Sequence, residues 1–155
     1  MSRAFVKERD GEDAPEELTE RPISPHPNLV TAEGLARIET EIERLGKAQA
    51  AAQQANDRGA LARIARDLRY WNARRSSARL VPPSNDTSQV HFGSTVTIVR
   101  ADGRQQTFRI VGEDEADPAH GTLSHASPLA RALFGKRVGD TIEAGQSEAQ
   151  LVAIV

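Results

Sequence analysis

Two apolar seams in the first half of the chain share an arithmetic that restricts the fold more than any other feature. Leu35, Ile38, Ile42, Leu45, Gln49 and Ala52 follow a 3-4-3-4-3 spacing, and Leu61, Ile64, Leu68, Trp71, Arg75 and Ala78 repeat it. Such spacing marks the narrow seam of a coiled coil rather than the wider stripe of a globular helix. When a chain doubles back, residues that face each other have numbers adding to a constant. Here 35 with 78, 38 with 75, 42 with 71, 45 with 68, 49 with 64 and 52 with 61 all give 113. The fold-back centre falls between Asn56 and Asp57, where the turn-forming run Asn56-Asp57-Arg58-Gly59 independently sits. The spacing predicts an antiparallel helical hairpin over 29–81 with its turn at 56–59. Thr31 is the expected N-cap of the first arm, with Glu33 in the first turn and Val30 placed to pack on Leu35. Gln49 and Ala52 thin the seam near the tip, and Arg75 opposite Ile38 has to snorkel at the base.

The flanking segments obey different rules. Residues 1–28 hold Pro15, Pro22, Pro25 and Pro27, only scattered apolar side chains, and 4 basic against 7 acidic residues. That composition buries too little surface to offset the entropy of ordering, so a disordered acidic tail is expected. Pro82 and Pro83 stop the second arm, and 82–89 is expected to be a linker. From residue 90 the alternation changes to period two. Thr95–Val99 and Gln106–Val111 are predicted strands joined across Ala101-Asp102-Gly103. Pro128–Phe134 is a predicted short helix, with Ser127 as its cap and Gly135 as its stop, and Leu151–Val155 is a closing strand. The fold class is α+β: a helical hairpin followed, over 90–155, by a small twisted sheet with one short helix.

Charge and cysteine content narrow the function. The net charge of −2 conceals a basic hairpin: residues 29–80 carry 10 basic and 6 acidic side chains. Within 58–79 the only acid is Asp67, set against Arg58, Arg63, Arg66, Arg69, Arg74, Arg75 and Arg79. This run is either a solvated face or an electrostatic footprint for an acidic protein wall or RNA phosphates. The absence of cysteine rules out disulfides and thiolate metal sites. With no apolar leader and no 18-residue apolar stretch, the expected location is cytoplasmic. The four histidines lack ligand-like spacing, and neither a phosphate-binding glycine loop nor a nucleophile elbow is present. The chain is not expected to be an enzyme.

Three C-terminal motifs carry a resemblance. They are Val90-His91-Phe92-Gly93-Ser94-Thr95-Val96-Thr97-Ile98-Val99, then Phe108-Arg109-Ile110-Val111-Gly112-Glu113-Asp114-Glu115-Ala116-Asp117, then Ser127-Pro128-Leu129-Ala130-Arg131-Ala132-Leu133-Phe134-Gly135-Lys136-Arg137-Val138-Gly139-Asp140. In this order they resemble the C-terminal domain of the bacterial GreA/GreB transcript-cleavage factors. The resemblance implies an FKBP-like sheet domain that binds RNA polymerase, with Ser127, Pro128 and Arg131 in the contacting loop. Ala126 stands where the family commonly has Asp or Asn. Nucleic acid would be met only through the transcription complex, and the self-satisfied seam gives no reason to expect more than a monomer. In the family, acidic residues at the hairpin tip help hold Mg²⁺ at the polymerase active site, a task that needs closely spaced carboxylates. Here the tip residues Asn56, Asp57 and Arg58 offer one carboxylate beside a cation, and the arms are shorter than the family's. Asp57 is thus a weak metal candidate and no cofactor is expected, Mg²⁺ mattering only if the tip reaches the active site. The implied role is a secondary-channel regulator of elongation without normal cleavage stimulation. The alternatives are a cleavage factor using Asp57, or an off-polymerase interaction protein like the regulators of nucleoside diphosphate kinase.

Overall fold

Thr31 starts the hairpin as its position in the sequence suggests. In the computed structural model of the protein, which describes residues 18–155, its hydroxyl accepts a hydrogen bond from the Gly34 N–H at 3.0 Å. Helix α1 then runs over Ala32–Gln54. Helix α2 covers Arg58–Ser77 and is capped by Asp57, whose carboxylate accepts the Ala60 N–H at 3.1 Å. Each cap satisfies one of the amides that a helix start leaves without a partner. Asn56 makes the reversal in the left-handed region, at φ 51°, which asparagine tolerates better than most side chains. The fold-back centre is where the seam arithmetic puts it, but the turn is tighter than 56–59. Arg58 and Gly59 already belong to α2, because the Asp57 cap lets the helix begin at once.

Burial follows the seams. Ile38, Leu45 and Ala52 are buried, with Leu35, Ile42 and Gln49 half-buried along α1. On α2, Leu61, Ile64, Leu68 and Trp71 are half-buried while Arg75 stays exposed. The arms leave the base through a two-residue parallel ladder, β1 (Leu29–Val30) against β2 (Arg79–Leu80).

The second half forms one sheet in the order β5-β4-β3-β7-β6, from β3 (Thr95–Arg100), β4 (Gln105–Val111), β5 (Thr122–Ser124), β6 (Thr141–Ala144) and β7 (Ser147–Ile154). All neighbours are antiparallel except β4 and β5. Period-two alternation sends Val96, Ile98, Ile110, Ala149 and Leu151 into the core, and a register shift between β3 and β7 brings Ile154 in as well; helix α3 (Pro128–Leu133) adds Ala130 and Leu133. Phe92, Phe108 and Phe134 pack around its edge. Strands β5 and β6 have 3 and 4 residues, too few for alternation to reveal them, and β7 starts four residues before the predicted Leu151.

One expectation fails clearly. Residues 1–17 of the expected disordered tail lie outside the described residues, but 18–28 run along α2 toward the base. The Arg21 guanidinium stacks 3.9 Å from the centre of the Tyr70 ring, and Glu20 pairs with Arg69. Ser24 donates to Glu113 at 2.8 Å, and Asn28 donates to the Arg74 carbonyl at 2.7 Å. Polar and cation–π contacts hold this strap, so a reading based on apolar content could not find it.

Candidate functional site

The hairpin tip is chemically sparse. Between Glu43 on α1 and Asp67 on α2 the only carboxylate is Asp57. That carboxylate already accepts the Ala60 N–H, with Arg58 as its immediate neighbour. Asn56, Asp57 and Arg58 are all exposed. Among the described residues no three His, Asp or Glu side chains group so as to hold a metal ion.

The arginines of α2 divide into three environments. Arg58 and Arg63 are exposed. Arg66 is half-buried against Asp67 at 3.4 Å, while Arg69 is exposed and held by Glu20. Arg74, expected on the basic face, is instead 1% exposed. Its neighbour Arg75 took the seam position and points to solvent, so Arg74 faces the strap and the sheet domain.

Around Arg74 a buried polar cluster joins three separate stretches of chain. Its Nε donates to Asp114 Oδ2 at 2.6 Å, and its Nη2 donates to Asn28 Oδ1 at 2.8 Å and Glu113 Oε2 at 3.3 Å. Burial opposes the Arg74 charge, but the Asp114 hydrogen bond and charge outweigh it, and the guanidinium pKa stands above its ordinary value. The Tyr70 hydroxyl donates to Asp114 Oδ1 at 2.5 Å. Burial first, and then the adjacent Asp114 carboxylate, push that phenol up to about 12. Beside them Glu115, 9% exposed, accepts from Thr31 Oγ1 at 2.5 Å, Thr31 N at 3.2 Å and Gly112 N at 3.3 Å. The first three acids of the run Glu113–Asp117 turn inward because Arg74, Tyr70 and Thr31 at the start of α1 supply donors.

In the loop that follows β5, Ser127 Oγ accepts the Ala130 N–H at 3.2 Å and caps α3. Pro128 and Arg131 are exposed on the outer face of that turn. His125, just before it, is buried, with its Nε2 lacking any hydrogen-bond partner. Burial holds its imidazole below the ordinary value of 6.5, and its ring meets Phe92 edge-on at 5.7 Å. Sequence reasoning missed Asn28, Tyr70, Asp114, Glu115 and His125 as members of packed polar sites. The dense acids of 113–115, facing a basic helix, were the one available signal.

A helical probe standing on a polar-latched sheet domain defines the class. The family described as "Transcription elongation factor, GreA/GreB, C-term" matches residues 85–152. Transcription elongation factor GreA of Alkalilimnicola ehrlichii is 35% identical over 161 positions, covering 99% of this chain and 98% of that protein. GreA of Legionella pneumophila is 34% identical over 92% of this chain and 87% of that protein. GreB of Neisseria meningitidis is 40% identical over 97 residues, with only 60% of its own length spanned. The structure of Gfh1 from Thermus thermophilus aligns at 23% identity over 84% of this chain and 99% of that one, with a TM-score of 0.41. The chain belongs to the GreA/GreB family of transcription elongation factors. Among the described residues, no helix is long and apolar enough to cross a membrane.

Proposed function

We propose that this chain binds bacterial RNA polymerase through its sheet domain, presents the hairpin to the secondary channel, and modulates elongation without normal stimulation of transcript cleavage. The composition of the tip carries this reading. Mg²⁺ takes hard oxygen ligands in near-octahedral geometry, and one carboxylate already engaged as a helix cap does not fit that demand. Arg58 beside it adds a competing positive charge. Reach supports the same conclusion. Arms of 23 and 20 residues span about 34 and 30 Å, and the resemblance implies longer arms in cleavage-active members. Exposed Pro128 and Arg131 leave the α3 turn free to meet the polymerase, and Arg58 and Arg63 suit an acidic channel wall.

The test uses a backtracked elongation complex and the full-length protein. Recovery of polymerase with the protein, no shortening of the transcript, and inhibition of an added cleavage factor are the expected results. Robust shortening that disappears in Asp57→Ala would overturn the cleavage-deficient reading. Failure to recover polymerase subunits would overturn the proposal as a whole.

A further inference from the structure

The Arg74 cluster and the strap lie outside the surfaces assigned to polymerase above, yet they hold a dense network of buried polar bonds. We propose that they form an orientation lock that fixes the direction of the hairpin relative to the sheet domain. The covalent route between the two parts is weak. After β2 the chain passes through Pro82–Ser88, which has no regular element and is mostly exposed, so it imposes little angular restraint. The restraint comes from side chains. Arg74 on α2 is tied to Asp114 and Glu113 of the sheet domain, and Tyr70 shares Asp114. Glu115 of the sheet domain holds the start of α1 through both the amide and the hydroxyl of Thr31.

The strap is the third leg of the lock. Asn28 accepts from the Arg74 guanidinium while its own amide nitrogen donates to the Arg74 carbonyl and to Ser77 Oγ. Ser24 then ties Glu113 from the opposite side. Both helices and the strap are thus bonded to one three-residue acidic turn, Glu113–Glu115. A lever makes the lock consequential: an arm of about 30 Å that swings by about 20° at its base displaces its tip by about 10 Å. This consequence for the channel rests on the proposed polymerase reading, whereas the lock itself does not.

The absence of cysteine allows clean paired labelling at Gln54→Cys on the tip side and Glu148→Cys on β7. Interlabel distances are measured by pulsed electron resonance on the full-length protein without polymerase. The parent should give one narrow distribution. Arg74→Met should broaden it by several ångströms with unchanged far-ultraviolet dichroism. Should Arg74→Met fail to fold, the pair Asp114→Asn and Asn28→Ala makes the same cut from the other sides. A broad parent distribution, or folded variants with the parent's narrow one, would overturn the lock. Polymerase binding has no influence on any of these outcomes.

Discussion

Helix α1 contains two glycines, and alanine should have opposite effects at them. At Gly34 an added Cβ would sit 2.5 Å from the Glu115 carboxyl carbon and 3.0 Å from its Oε1. Glu115 has a flexible side chain, so the overlap can be relieved by rotation. Rotation, however, pulls the carboxylate away from Thr31 N, Thr31 Oγ1 and Gly112 N. Net contributions of hydrogen bonds to charged groups are about 1.5–3 kcal/mol each, so losing two costs about 3–6 kcal/mol. Better helix propensity returns at most about 1 kcal/mol. Gly34→Ala should therefore destabilise by about 2–5 kcal/mol. At Gly46 nothing lies within 4 Å of the added atom, and alanine should stabilise by about 0.5–1 kcal/mol. Urea unfolding followed by far-ultraviolet dichroism separates the two outcomes. A double variant completes the test, because once Glu115→Ala has removed the obstacle, Gly34→Ala should add almost no further cost. If Gly34→Ala stabilises as Gly46→Ala does, the packing of Glu115 on the start of α1 is wrong.

Two further predictions follow from titrating groups. Tyr70 is the chain's single tyrosine, so tyrosinate absorbance reports it alone: the folded protein should titrate near 12, and Asp114→Asn should bring the midpoint back toward 10.0. A parent midpoint at 10.0 in protein still folded by dichroism contradicts the Tyr70–Asp114 bond. For His125 the folded pKa lies below the unfolded 6.5, so the unfolded chain binds more protons as pH falls. Its contribution is intact above 6.5 and is lost as pH drops from there toward the folded value. Denaturant midpoints between about pH 7.5 and 5.5 should decline in the parent and decline less in His125→Phe; equal slopes would remove His125 from the account.

The hairpin was legible because its signal is long and redundant. Six paired positions, one cap and one turn all specified the same fold-back, and an error in any one would have been exposed by the others. Strands β3 and β4 and helix α3 were legible for related reasons: alternation in the strands, and a Ser-Pro start with a glycine stop in the helix. What escaped were features whose information is distributed over distant residues. The strap has too few apolar side chains to announce itself, and its partners lie 46 and 89 positions away. Arg74 was grouped with the basic face because the six arginines of α2 look alike in sequence and nothing local marks the one that turns inward. Nothing near Glu113–Glu115 states that the donors come from α2 and from the start of α1. The tip was legible chemically, since a scarcity of carboxylates can be counted without any coordinates.

The bond between Thr31 and Glu115 spans 84 positions, and that separation has a consequence for how the protein is made. Both arms of the hairpin leave the ribosome ahead of Glu115, and their seam contacts are local enough to zip at once. Until the acidic turn emerges, however, α1 has only its threonine cap, Arg74 has no carboxylate from that turn to meet, and the N-terminal pass cannot reach Glu113. The nascent hairpin is therefore a formed rod without an assigned bearing, and its aim is set last, when the sheet that carries residues 113–115 has folded.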